Sequence, residues 1–348
     1  MASNVCVANV DFPIPYKTIQ EANSHLIEKL PQEHDALIAT LPLEPFLERP
    51  FSFDQPYRLY KGVWMSEINI RGTLVMQQHF KSCRTDIFLA SFPKSGTTWS
   101  KAMIFATLTR TNNSLNQHSL NTHNPHQCVP YMEVEFVTGR SQILEVIPSP
   151  RVMNTHLPYS LLPHSITESS CRIVYVWRDP KDVIVSMWYF AQKILGGADK
   201  MVTFDQLYER FYQGLNSYGP VWNHIFGYWE ECKRRPEKII FLKYEHILQE
   251  PVKYAKQLAH FMGCPYSETE ENHGVVEQIV ELCSFKTMKD FDVNKYGNLP
   301  TSENINVTNA SFFKKDEAGD WKNHMTREMA ERLDTITKEK FNGSGLQI

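Results

Sequence analysis

Between residues 93 and 99 the chain reads Pro-Lys-Ser-Gly-Thr-Thr-Trp, an order of residue types that can hold an anion. Gly96 lets the backbone come close to a ligand, the N–H groups of Ser95 to Thr98 stand at the start of a helix-forming stretch, and Thr97 and Thr98 add hydroxyl donors. Lys94 supplies the positive charge. The nucleotide-triphosphatase signature GxxxxGK[ST] is excluded, because here the lysine precedes a single glycine. An ordinary capped helix start is the competing reading. Arg178 and Ser186, about two helical turns apart, can grip a second phosphate, Arg178 through its planar fork and Ser186 through its hydroxyl. Against that stand a salt bridge from Arg178 to Asp179 or Asp182 and a neutral helix-face serine. His156, in Asn-Thr-His-Leu-Pro, is a candidate general base. Tyr244 is a further candidate, or else a core tyrosine with its hydroxyl satisfied.

What would gather these residues is a parallel sheet. Four apolar runs read as strands, Asp86–Phe92, Pro150–His156, Cys171–Trp177 and Lys238–Tyr244, and they alternate with segments of helical periodicity such as Ser100–Arg110. That alternation predicts an α/β fold, a single domain with a central parallel sheet flanked by helices. Ligands of such sheets collect beyond the carboxyl ends of the strands, where Lys94, His156, Arg178 and Tyr244 all fall. Residues 1–55, rich in Pro and charge with one amphipathic stretch at Thr18–Leu30, read as an N-terminal arm without a catalytic role, and residues 56–348 as the catalytic domain. Asn294–Lys315, polar and Asn-rich, reads as a long surface loop of the lid type. Trp222, Phe226 and Trp229 at i, i+4, i+7 read as a buried helix face whose end is complemented by Lys233, Arg234 and Arg235.

A chain of 348 residues, 42% of them hydrophobic, can build a sizeable core. With 36 Lys and Arg against 39 Asp and Glu it is not a nucleic-acid-coating polycation, so any anion site must be local. Seven scattered cysteines without a CxxC pair or zinc spacing read as reduced, packed thiols, and no metal site is expected. No stretch approaches the roughly 18 apolar residues of a membrane span, and a basic start followed by an apolar run is lacking. A cytoplasmic protein without membrane or nucleic-acid partners is expected.

From about Leu59 to Leu346 the chain resembles the cytosolic sulfotransferase family, its plant members especially. The landmarks stand in order as PKSGTTW (93–99), PSPRVMNTHLP (148–158), YVWRDPKDVIVSMWYF (175–190), FLKYEHILQEP (241–251) and SFFKKDEAGDWK (311–322). The resemblance implies a P-loop-like sulfotransferase fold and transfer of a sulfuryl group from 3′-phosphoadenosine 5′-phosphosulfate to a hydroxyl of a small acceptor of flavonoid, steroid or hydroxylated-acid type, without a metal. It implies that Lys94, Ser95, Gly96, Thr97, Thr98 and Trp99 hold the 5′-phosphosulfate end with Trp99 near the adenine, that Arg178 and Ser186 hold the 3′-phosphate, and that Tyr244 lies near the adenosine. His156 would take the acceptor's proton, and Lys94 would stabilise charge on the departing phosphate oxygen. Trp64, Tyr131, Phe136 and Tyr159 would line an apolar acceptor pocket.

The 3′-phosphate lid would be Lys314, Lys315 and Asp316, where the family usually shows Arg-Lys-Gly. Lysine keeps the charge without the bidentate fork, and aspartate sets a carboxylate near a phosphate. That departure leaves open a non-catalytic or weakened donor-binding protein, and the shared architecture leaves open a nucleotide kinase, although a kinase's glycine-lysine order and magnesium carboxylates are not evident. Lys322–Glu331 keeps only part of the dimer motif of animal relatives, with Arg327 after Thr326, so a monomer is expected.

Overall fold

The computed structural model describes residues 13–28, 34–44, 57–111, 117–195, 203–300, 306–313 and 318–347. A hairpin of β1 (Tyr57–Tyr60) and β2 (Val63–Ser66) leads into helix Glu67–His79, whose cap Ser66 accepts the N–H of Asn69. The central sheet consists of β3 (Ile87–Ser91), β4 (Val152–Thr155), β5 (Arg172–Trp177) and β6 (Ile239–Lys243), all parallel, in the spatial order β4-β3-β5-β6. Each lies within one of the four apolar runs. β3 and β4 are buried at every residue, as strands covered on both faces must be. Side-chain alternation divides the core in two: Phe88, Ala90, Ile173 and Tyr175 pack on one face, and Ile87, Leu89, Val174 and Val176 on the other. A buried bidentate pair of Arg151 and Asp86, with N–O distances of 2.8 and 2.6 Å, staples the entry of β4 to that of β3.

From β3 the chain runs outward to β4, then crosses back to β5 and on to β6. The boundary of β3 and β5 is therefore where successive connections diverge, and a crevice opens at the carboxyl ends there. Both the loop after β3 and Arg178 after β5 flank it.

Four readings of the sequence change. The stretch taken as a structureless loop holds helix Asp292–Tyr296, a hairpin of β7 (Asn298–Pro300) and β8 (Asn306–Thr308), and a 3-10 turn at Asn309–Phe312. Two of its asparagines are buried partners rather than solvated residues: Asn294 donates to the Met288 carbonyl at 2.8 Å and accepts from Asn124 at 2.8 Å, and Asn309 donates to the Val293 carbonyl at 2.7 Å. In helix Val221–Arg234 the buried face is centred on Ile225 and Tyr228, part of a turn away from the aromatic row, so Trp222 is buried but Phe226 is exposed. Residues of the N-terminal arm are packed into the main core, with Tyr16 and Ile19 on helix Tyr16–Ala22 and Ile38 on helix Asp35–Thr40. Cys128, Cys171, Cys232, Cys264 and Cys283 are free thiols, while Cys83 is disulfide-bonded. No helix among the described residues is long and apolar enough to cross a membrane.

Candidate active site

The chain after β3 turns sharply. Lys94 and Gly96 both sit in the left-handed region, at φ 69° and 97°, and Gly96 caps helix Thr97–Thr109. The Ser95 N–H is turned back onto the Phe92 carbonyl at 3.2 Å, so the first free turn of helical N–H groups begins beyond it. Ser91 and Thr97 share a hydroxyl–hydroxyl bond of 2.8 Å beneath the loop, while Thr98 Oγ1 faces His126 Nε2 at 3.0 Å. The Lys94 ammonium lies 4.1 Å from the ring centroid of Phe190, on helix Pro180–Leu195.

Glycine is required at position 96 for two reasons. Its φ is one that a side chain resists, and an added Cβ would stand 2.4 Å from Tyr244 Cδ2 and 2.7 Å from Cε2. The Tyr244 ring cannot simply swing away, because the Arg178 guanidinium lies over it at 5.1 Å from the centroid. Gly96→Ala is expected to cost about 1–2 kcal/mol from the backbone alone, with overpacking against Tyr244 in addition. Thermal unfolding of the variant checks this, and a melting temperature equal to that of the unchanged chain refutes it.

At the end of β4 the His156 ring is fixed on both sides. Its Nδ1 lies 2.7 Å from the Ser91 carbonyl, which can only accept, so Nδ1 carries the proton and Nε2 keeps the lone pair. Its backbone N–H donates to Glu133 Oε1 at 2.8 Å, and its carbonyl accepts from His224 Nε2 at 3.0 Å. Burial, with the nearby positive charges of Lys101 and Lys94, pushes the His156 imidazole down to about 4. Tyr131 and Tyr218, joined through their hydroxyls, flank the imidazole with ring centroids 5.0 and 5.8 Å from it. Glu133, raised to about 7 by burial, also accepts from Thr155 Oγ1 at 2.8 Å and so holds the turn that aims His156.

These elements enclose one cavity of about 820 Å³. Lys94, Gly96, Thr97, Thr98, Trp99, His156, Ser186 and Tyr244 all line it. Ser95 and Arg178 are buried behind that lining, and Arg178 Nη2 lies 3.8 Å from Asp182, a long version of the salt bridge that competed with an anion role. Lys314, Lys315 and Asp316 lie outside the described residues. Of the aromatic residues expected around the acceptor, Tyr131 lines the cavity. Phe136 instead packs edge-on to Phe80, Tyr159 holds Arg235, and Trp64 is not in the lining.

The sulfotransferase domain model matches residues 84–345, which contain the whole central sheet, the Lys94–Trp99 loop and His156. The chain belongs to the sulfotransferase family. It is 38% identical over 334 residues to cytosolic sulfotransferase 17 of Arabidopsis thaliana, covering 94% of this chain and 95% of that one. It is also 38% identical to flavonol 4′-sulfotransferase of Flaveria chlorifolia, covering 95% and 98%. The solved structure of an Arabidopsis thaliana sulphotransferase superposes with a TM-score of 0.70 at 32% identity, covering 92% of this chain and 99% of that one. A mouse sulfotransferase complexed with PAP superposes with a TM-score of 0.63 at 26% identity over 83% and 95%.

Within this sulfotransferase the sequence left several lining residues unnoticed. Tyr16, Lys17 and Gln20 reach the cavity from the arm, and Tyr16 donates to Glu135 Oε2 at 2.6 Å, a carboxylate also held by Arg140. His126 and Lys101 reach it from the side of the Lys94–Trp99 loop. A signal existed for His126: Asn124-Pro-His-Gln127 forms a capping box with proline at the first helical position.

Proposed function

We propose that this sulfotransferase moves a sulfuryl group from 3′-phosphoadenosine 5′-phosphosulfate to a hydroxyl of a small acceptor, with His156 as general base and Lys94 stabilising the leaving phosphate oxygen. The observation that carries the reading is the sharing of one cavity by His156, with Nδ1 committed to Ser91, and the Lys94–Trp99 loop. The residues present fit the donor. A cationic side chain, the hydroxyls of Thr97, Thr98 and Ser186, and a helix start lie together, with the Trp99 indole beside them, and the loop is closed tightly enough that position 96 tolerates no Cβ. When bound, the donor supplies an electrophilic sulfur and a bisphosphate leaving group.

Each residue then has a definable task. His156 Nε2 receives the acceptor's hydroxyl proton while the Ser91 carbonyl stabilises the resulting imidazolium through Nδ1–H. Lys94 opposes negative charge growing on the phosphate oxygen, and Thr97, Thr98 and the helix N–H groups orient it. Arg178 and Ser186 would hold the 3′-phosphate, with Arg178 moving its weak Asp182 contact to that anion. Tyr244, pinned under Arg178, would shape the nucleotide floor. Lys314, Lys315 and Asp316 would close over the 3′-phosphate.

The acceptor side, walled by Tyr57, Tyr131, Tyr218, Ile68 and Val134, suits a flat or ring-shaped hydroxylated molecule of flavonoid, steroid or hydroxylated-acid type. A flavonol-sulfating relative supports the first of these. We place the protein in the cytoplasm, as the names of its plant relatives place them.

Incubation with ³⁵S-labelled donor and a panel of flavonols, steroids and hydroxylated acids tests the reading. Label is expected on at least one class; donor binding with transfer to none would replace it with a non-catalytic role. In the same assay Asp316→Gly is expected to lower the donor KM several-fold by removing a carboxylate from the phosphate lid, and an unchanged or raised donor KM refutes that assignment.

A further inference from the structure

Beneath the Lys94–Trp99 loop, two polar side chains with no task in the reaction so far, His126 and Lys101, stand in a chain behind Thr98. Thr98 Oγ1 is 3.0 Å from His126 Nε2, His126 Nδ1 is 3.2 Å from Lys101 Nζ, and Lys101 Nζ is 2.9 Å from the Val129 carbonyl. Lys101 is about one turn beyond Thr98 on helix Thr97–Thr109, and it is fully buried. Long cationic side chains are almost never buried in this way without a task for their donors.

The direction of each bond follows from the chemistry of the groups. An ammonium only donates, so His126 Nδ1, facing it, must be the lone-pair nitrogen. The neutral ring then carries its proton on Nε2 and donates it to Thr98 Oγ1. A hydroxyl that already accepts from a histidine has its own proton left for another acceptor, and Thr98 lines the cavity. We propose that Lys101 and His126 are positioning residues that fix the direction of the Thr98 hydroxyl, so that its proton points at the anionic end of the donor. The inference rests on the donor-site reading given above.

Two features hold the relay in place. His126 is locked by its helix start, where its N–H donates to Asn124 Oδ1 at 2.9 Å and Asn124 is tied to Asn294. Its ring also packs against Phe312, from the 3-10 turn after β8, with centroids 4.2 Å apart and the planes tilted by 35°. The charge states agree with the geometry. Burial, with the neighbouring positive charges of Lys101 and Lys94, holds His126 well below its ordinary value, so it is neutral. Burial lowers Lys101 to about 7 against the pull of Glu133 and Glu135, and a bound anion adds to that pull, favouring the ammonium in the loaded site.

Two measurements test the proposal. In the unliganded protein, below the Lys101 transition, ¹⁵N imidazole shifts are expected to show His126 as the neutral Nε2–H tautomer, assigned by their loss in His126→Gln; an Nδ1–H tautomer overturns the relay. By calorimetry with adenosine 3′,5′-bisphosphate, Thr98→Val and His126→Ala are each expected to weaken binding roughly tenfold, and the double variant no more than Thr98→Val alone. Additive losses would mean that His126 acts by another route and would overturn the proposal. Absence of bisphosphate binding in the unchanged chain would sink the donor-site reading instead, while the tautomer still reports on the relay.

Discussion

Replacing His156 with alanine is expected to lower kcat by about 10²–10⁴-fold and to leave bisphosphate affinity nearly unchanged. The loss is confined to kcat because His156 stands at the end of β4 and is not among the groups proposed to grip the donor. His156→Gln sharpens the test. Its amide N–H can still donate to the Ser91 carbonyl, so the turn held by Glu133 stays formed, yet no lone-pair nitrogen remains to take a proton. Equal losses in the two variants identify proton uptake as the missing function; retention of activity within about tenfold by His156→Gln would remove the base assignment. The pH profile offers an independent check. Burial disfavours the imidazolium, and the folded value falls to about 4. The ring is therefore neutral, and competent as a base, at every pH above that, and is lost to protonation only as pH falls through it. kcat/KM should be flat from neutrality down to about pH 5 and decline below. A decline centred near the ordinary histidine value of about 6.5 would show that His156 is not held as the structure holds it.

Much of this site was legible because parallel sheets collect function at one edge. Once four apolar runs were taken as strands, Lys94, His156, Arg178 and Tyr244 had to meet, and three of them do line one cavity. Arg178 shows the limit of that logic. A position after a strand end says nothing about which way a long side chain turns, and this one lies over Tyr244 behind the wall. The arm was misjudged for a different reason: Tyr16 reaches Glu135 across 119 residues of sequence, and no local pattern announces such a pairing. Similarly, asparagines near position 300 look like loop residues because the type favours turns. Only the fold shows that Asn294 and Asn309 satisfy buried backbone carbonyls. Lys101 escaped notice because a lysine on an otherwise apolar helix reads as its solvent face, whereas here it is fully buried.

Lys94→Met is expected to reduce kcat by about 10²–10³-fold, the cost of removing one group that opposes charge developing at a reacting oxygen. The side chain keeps its length and its contact with Phe190, so the loop should remain closed. Stability separates this effect from collapse of the site. Lys94 holds φ 69°, a region that costs a side-chain-bearing residue about 1–2 kcal/mol. A conformation of that kind is retained where function requires the residue. Lys94→Gly should accordingly melt no lower than the unchanged chain, since the strain it removes offsets the backbone freedom it adds, of about 0.5–1 kcal/mol, while its kcat falls as far as that of Lys94→Met. Lys94→Arg retains charge but not the compact ammonium, and a planar fork above the Phe190 ring points its donors elsewhere. It should recover only part of the activity. A Lys94→Gly chain that is both less stable and fully active would show that position 94 serves the turn and not the reaction; a stable, inactive one places the charge of this lysine in the transition state.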